Sequence, residues 1–236
     1  PLYAGKRRDR IDPRTGSITE YTAPTFHAQP SSGAAFGFDG VDGSGSSVLG
    51  GACVRAPVEV MEWITPYRWL EYEFKTDSAG AGQWRGGLGT RVTVENVYDR
   101  DVWQPQDCLT MTGNCDGELF GSVGFMGGLG GSKIKLEIVR NGESIDYHTF
   151  DLQYLEPGDI FIQDSGGGGG IGDPLDRDVD KVRRDMVNQY VSVEAAEDLY
   201  GVVVDPDTLA LDEKATTALR EKLKEEAAAK RPAGSA

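Results

Sequence analysis

DSGGGGGIGDPLDRDVDKVRRD (residues 164–185) sets five consecutive glycines, Gly166 to Gly170, between a strand-like run and a charged, helix-like segment. Three uses of such a run compete. A phosphate loop needs Gly-x-x-x-x-Gly-Lys-Ser/Thr, or Gly-x-Gly-x-x-Gly inside a parallel crossover. Here Ile171, Gly172, Asp173 and Pro174 follow, and Asp173 sets a negative charge where a phosphate would lie. A free tether fits poorly too, because a strand enters at Ile162 and a capped helix leaves a few residues later. The remaining reading is close backbone approach: a loop pressed against other protein or lining a cavity, where no side chain fits. Glycine N–H groups exposed there could also meet an anion.

A second glycine knot, DSAGAGQWRGGLGTR (77–91), joins two amphipathic stretches. Trp84 and Arg85 sit beside Gly86 and Gly87. The knot reads either as a long hairpin with a packed Trp or as a rigid loop offering Arg85 to a carboxylate or phosphate. The candidate ligand-loop or interface residues are therefore Trp84, Arg85, Gly86, Gly87, Gly166, Gly167, Gly168, Gly169, Gly170 and Asp173. No residue pattern singles out a catalytic group.

Away from the glycines the periodicities change along the chain. Residues 1–50 mix charge, Pro, Gly and Ser with scattered Phe26, Phe36, Phe38 and Val41, which predicts an extended irregular arm lying on a partner. Residues 51–175 read as antiparallel β from about Val58. Leu70, Tyr72 and Phe74 alternate with Glu71, Glu73 and Lys75, and Ile134, Leu136 and Ile138 alternate with Lys133, Lys135 and Glu137. Asn141-Gly142 is the favoured pair for a type I′ hairpin. Residues 176–236 read as helical with a surface tail. Asp178 caps a helix bearing Val179, Val182 and Met186, Ser192 caps another that stops at Gly201, and Asp212 opens a last one with a thin stripe of Ala215, Leu219 and Leu223. VVVD (202–205) reads as a short strand. The expected fold class is mainly β, a sandwich of antiparallel sheets with a C-terminal helical region (α+β).

The 236-residue chain carries 24 Lys and Arg against 38 Asp and Glu, a net charge of −14, so it repels a phosphate backbone and makes nucleic acid an unfitting partner. No apolar run approaches the ~18 residues that cross a bilayer, and the expectation is a cytoplasmic protein without a leader. The chain opens on Pro1, as a processed product or a fragment would. Cys53, Cys108 and Cys115 include no Cys-x-x-Cys; a Cys108–Cys115 bridge is open to the sequence, but reduced thiols are the expected state. His27 and His148 lie far apart, with no second His or Cys at ligand spacing, so no metal is expected on this chain alone.

The two glycine knots also carry a resemblance. Pro57-Val58-Glu59, then DSAGAGQWRGG from Asp77, then GGGGGIGDP from Gly166, VRRD ending at Asp185, VSVEAA from Val191 and YGVVV from Tyr200 occur in order. Together they resemble the C-terminal portion of the hydantoinase B/oxoprolinase family over roughly 32–205. The resemblance implies a B-type subunit, or part of one, as in ATP-dependent hydantoinases, 5-oxoprolinase, and acetone and acetophenone carboxylases. It implies an A-type partner that uses ATP and Mg to activate a carbonyl oxygen. It further implies a divalent metal held upstream of the matched region, on the N-terminal part of the B-type subunit. The implied substrate is a small molecule: a cyclic amide that is hydrolysed, or alternatively a ketone that is carboxylated. A non-catalytic scaffold subunit of such a complex is the third expectation, and this chain alone is expected to be inactive.

Overall fold

The computed structural model describes residues 2–24, 31–44, 57–111, 117–145, 147–148 and 152–230. Two antiparallel sheets form its β part. The first pairs β1 (Leu2–Ile11), β2 (Ile18–Pro24), β5 (Cys108–Met111) and β8 (Leu152–Tyr154) in the order β2-β1-β5-β8. The second pairs β3 (Tyr67–Phe74), β4 (Thr90–Asn96), β6 (Lys135–Arg140), β7 (Glu143–Ile145) and β9 (Ile160–Asp164) in the order β3-β4-β9-β6-β7. The sheets face one another across an aromatic core. Tyr3 of β1 packs on Tyr67 of β3 at 4.5 Å between centroids and meets Phe161 of β9 edge-on at 6.3 Å. Val92 and Val94 of β4, Ile138 of β6 and Leu155 complete it. This is the mainly β, sandwich-like α+β class that the alternating strands predict.

Local chemistry accounts for the turns. Asn141 and Gly142 take φ of 53° and 82°, the two positive angles a type I′ turn needs, and β6 and β7 pair directly across them. Strand β3 departs from the expected pattern. Pairing shifts register between Trp69 and Glu71, so Leu70 is an extra residue and is 50% exposed. The bulge inverts the phase: Tyr67 and Trp69 face the core before it and Tyr72 after it. A strict alternation of Leu70, Tyr72 and Phe74 is therefore wrong for this strand.

Three further expectations are corrected. Residues 2–24 are a paired hairpin, β1 with β2, with one register shift between Arg7 and Ile11, rather than an irregular arm; its inward residues are Tyr3 and Tyr21, polar-tipped side chains that an apolar pattern search passes over. Residues from Val58 begin with a helix, α1 (Val58–Ile64), before the strands. VVVD makes only an isolated bridge, Val204 to Leu211. Cys53, Cys115 and His27 lie outside the described residues, as does part of the segment expected to cover a partner. Cys108 is a free thiol, with burial pushing its pKa up to about 11.

The helical region follows the caps. Asp178 accepts from the N–H of Asp180 and Lys181 at the start of α2 (Val179–Val187), and Ser192 from that of Ala195 at the start of α3 (Val193–Tyr200). Gly201 closes α3 at φ 60°. Val182, Met186, Val191, Ala196, Tyr200 and Val202 form a second small core. The last helix, α4 (Glu213–Lys230), is tied to it by Arg220, whose Nε and Nη2 donate to the carbonyls of Tyr200 (2.9 Å) and Arg177 (2.8 Å).

Phe161 is fully enclosed between the sheets, so Phe161→Ala should cost about 3–5 kcal/mol. Urea unfolding should show a lower midpoint at unchanged slope; a loss under about 1 kcal/mol would mean that the two sheets do not share this core.

Candidate functional site: a bundle of glycine backbones

Strand β9 ends at Asp164, whose fully buried carboxylate takes both Nε and Nη2 of Arg91 (2.7 and 2.8 Å) and Nζ of Lys75 (2.8 Å). These three charges pin the point at which the chain leaves the sheet. The five glycines then run on extended, and none of them has positive φ; the nearest that does is Gly172 at 76°. The reason for glycine here is therefore space.

That space is filled by other backbones, and the contacts recur every third residue. Gly167 N–H donates to Ser132 O (3.2 Å) and Gly170 N–H to Leu129 O (2.9 Å). Gly168 N–H donates to Gly87 O (2.9 Å) and Ile171 N–H to Trp84 O (2.9 Å). A methyl on Gly167 would overlap the Ser78 carbonyl, and one on Gly170 the Ala81 carbonyl, again three residues apart. Three residues per turn with no internal hydrogen bonds is the geometry of a polyproline-II helix. Gly168 O accepts from Gly80 N–H (2.8 Å), Gly169 O from Ala34 N–H (2.9 Å) and Gly170 O from Phe125 N–H (3.0 Å). Five extended segments thus surround residues 166–171: 31–34, 78–82, 84–87, 122–125 and 129–132.

The surrounding segments need glycine for the same reason. A methyl on Gly86 would overlap Gly168 O, one on Gly131 Gly167 O, and one on Gly128 Gly170 O. The structure therefore brings the two sequence knots together and adds a third glycine-rich segment, LFGSVGF (119–125). The spacing of Gly121 and Gly124 by three was the available signal for that segment, and a search for periods of 2 and 3.6 misses it.

Trp84 pairs its backbone with Ile171 and lies 4.5 Å from the Phe36 ring. Asp173 accepts from Leu175 N–H (2.9 Å) and starts a short 3-10 turn over Pro174–Asp176. Arg85 is 4% exposed and points inward. Its Nη1 reaches Asp42 Oδ1 at 3.3 Å, its Nε lies 3.5 Å from Asp185 Oδ2, and its guanidinium sits over the Tyr190 ring at 5.4 Å. Arg177, which the sequence reading passed over, is 1% exposed. It forks onto Asp39 (2.7 and 2.9 Å) and also reaches Asp185 (2.8 Å). Asp39 in turn accepts from the Arg85 N–H at 2.8 Å, and Asp42 from the Leu88 N–H at 2.7 Å. Two arginines and three aspartates thus clamp residues 31–44 and helix α2 to the bundle.

Burial opposes ionisation of Asp39, but the Arg177 fork outweighs it and holds the carboxyl below its ordinary range. Burial prevails at Asp185, whose pKa is raised despite Arg177 and Arg85. The N–H groups of Gly167, Gly168 and Gly170 are all spent on carbonyls, which leaves them no donor for a phosphate. Among the described residues no three of His, Cys, Asp and Glu converge as a metal-binding set. His148 Nδ1 and Glu118 Oε1 form an exposed pair at 2.6 Å, apart from the bundle.

The central strand of the five-stranded sheet, β9, thus runs on into a bundle of glycine backbones. The hydantoinase B/oxoprolinase pattern matches residues 7–174. This chain belongs to the hydantoinase B/oxoprolinase family. It is 33% identical over 214 residues to caprolactamase subunit beta of Pseudomonas jessenii, covering 89% of this chain and 35% of that one. It is 28% identical to the acetone carboxylase alpha subunit of Xanthobacter autotrophicus, covering 73% of this chain and 26% of that one. The crystal structure of the ATP-dependent caprolactamase from P. jessenii superposes with a TM-score of 0.70 at 28% identity, over 93% of this chain and 37% of that one. The chain thus spans about a third of the length of these relatives. Among the described residues no helix is long and apolar enough to cross a membrane.

Two predictions follow from this geometry. Alanine at Gly167, Gly168, Gly169 or Gly170 overlaps a backbone carbonyl and should cost about 1–3 kcal/mol or more. At Gly166, where the methyl would lie 3.1 Å from Ser132 O, the cost should be smaller. Thermal melts of the five variants test this order, and equal melting for all five would refute close packing. The second concerns pH. Because the native pKa of Asp39 lies below its unfolded value of about 3.9, its contribution is present above that value and is lost as pH falls through the native pKa. Asp39→Asn should therefore destabilise at pH 7, with the gap to the parent closing in acid. Asp185, shifted the other way, should lose less on change to Asn.

Proposed function

We propose that this chain is part of the B-type portion of an ATP-dependent complex that hydrolyses a cyclic amide. The observation that carries this is its similarity to a caprolactamase subunit at 33% identity across nearly the whole chain. In such a reaction the amide oxygen, a poor leaving group, attacks the terminal phosphorus of ATP and displaces ADP. The activated carbon then accepts a water, the ring C–N bond breaks to leave an amine and an acyl phosphate, and a second water cleaves that acyl phosphate to carboxylate and free phosphate. Each step has separate needs: a nucleotide site, a water-activating site, and a body that holds the two in register.

The residues of this chain suit the third need. A bundle with its N–H groups and carbonyls paired to one another resists deformation, and the buried Arg85–Arg177–aspartate cluster locks a loop and a helix to it. No nucleophile–base pair is built into the bundle. On this reading ATP with Mg and any divalent metal belong to the A-type subunit and to the remaining B-type polypeptide. The described residues offer no ligand set for a metal. A second reading, ATP-dependent ketone carboxylation, draws on the similarity to the acetone carboxylase alpha subunit. A purely structural role in either complex is the third.

The purified native complex separates these. Lactam- or hydantoin-dependent phosphate release with ring-opened product, and none with acetone plus bicarbonate, is the expected outcome. The reverse pattern establishes carboxylation. Full turnover by a complex from which this chain has been removed would leave it only a structural role.

A further inference from the structure

The ring of segments around residues 166–171 is joined at four places. Segment 129–132 bonds to 78–82 through Ser132 N–H to Ser78 O and Leu129 N–H to Ala81 O, each 2.7 Å. Segment 78–82 bonds to 84–87 through Gly86 N–H to Gly80 O (2.9 Å), and 84–87 to 31–34 through Gly87 N–H to Ser32 O (2.9 Å). Segments 122–125 and 129–132 meet through Gly131 N–H to Ser122 O (3.1 Å). Among the described residues no hydrogen bond joins 31–34 to 122–125. Rods of equal girth pack six around one, and the described segments supply five.

The open junction is also where apolar side chains face outward. Phe36 and Phe38 flank it on one side, 71% and 73% exposed. On the other side Phe120 and Val123, three residues apart and so on one face of a three-residue turn, are 80% and 87% exposed. Of the 21 large apolar side chains exposed among the described residues, nine lie within 36–41 and 119–129. Exposed apolar side chains concentrated in this way mark an interaction site. No Lys or Arg lies within 117–132, so the surface is not one for acidic partners.

We infer that this junction receives an extended segment of the polypeptide that makes up the other two thirds of a B-type subunit. Three features select that occupant. The relatives that contain this stretch carry about twice as much chain again outside it. The junction lies between two backbones, 31–34 and 122–125, that flank the same glycine run and are joined by no hydrogen bond among the described residues. Its walls are phenylalanine and valine, which call for apolar side chains on the incoming strand and for small residues where it nears the bundle axis. The inference rests on the proposed B-type role, and it adds the surface through which that role is exercised.

The test uses this chain together with the A-type subunit and the remaining B-type polypeptide of the same source. Phe120→Asp with Val123→Asp changes two exposed side chains, so the isolated chain should melt as the parent does. Its co-elution with the other polypeptides should weaken at least tenfold. Val187→Asp, on the exposed side of α2, should bind like the parent. Hydrogen exchange of the parent chain, free and in the complex, should show new protection at 119–125 and 31–38, which serves if the double variant misfolds. Parent-like binding by the double variant, absence of new protection, or self-association of this chain through the same face would each overturn the inference. The two readings fail separately: a complex assembled through this face without lactam-dependent phosphate release refutes the proposed reaction only. An active complex indifferent to Phe120 and Val123 refutes the docking surface only.

Discussion

An extended chain with three residues per turn makes no hydrogen bond to itself, so every N–H and C=O of residues 166–171 depends on a neighbour. The neighbours can reach it only if no Cβ intervenes on either side. That reciprocal condition explains why glycines recur in 78–89, in 121–131 and in 166–170 alike. A methyl at Gly86 would strike Gly168 just as one at Gly168 would strike Ser32. The bundle is therefore an all-backbone core, held by directed N–H···O=C bonds where the sandwich is held by aromatic burial.

Such a core needs fixed ends, and buried charge supplies them. At the entry Asp164 is gripped by Arg91 and Lys75, and just past the exit Arg177 is gripped by Asp39 and Asp185. Removing one partner from a buried pair leaves the other uncompensated, which costs far more than an exposed pair contributes. The opposite displacements of Asp39 and Asp185 show the balance within a single cluster. Where a forked arginine is close enough, the carboxyl is held below its ordinary range; where burial dominates, it is raised. The same cluster ties together four pieces distant in sequence: 39–42, 83–88, 177 and 185.

The division of labour in the molecule follows. The sandwich strands interleave with the bundle segments along the chain, the small helical core follows them, and ion pairs anchor both to the bundle. The outer faces of 36–41 and 119–129 are left apolar. The chain belongs to the hydantoinase B/oxoprolinase family and spans about a third of the length of the caprolactamase subunit it resembles.

Much of this was legible in the residues themselves. Asn141-Gly142, Asp178, Ser192 and Gly201 act through bonds within a few residues of their own position, so their turns and caps can be read directly. The ordered motifs around the glycines were enough for the family. The Leu70 bulge was not legible, because register belongs to a pair of strands and β4 had to be in place to set it. Nor was the hairpin of 2–24, whose inward face is tyrosine. The five glycines declared that a side chain was forbidden; which carbonyls forbid it was decided by segments far off in the chain, as with Ser32 against Gly168. Local chemistry reads out from sequence because its partners are covalent neighbours. The bundle, the buried arginine cluster and the open junction exist only once distant backbones have been brought within hydrogen-bonding distance.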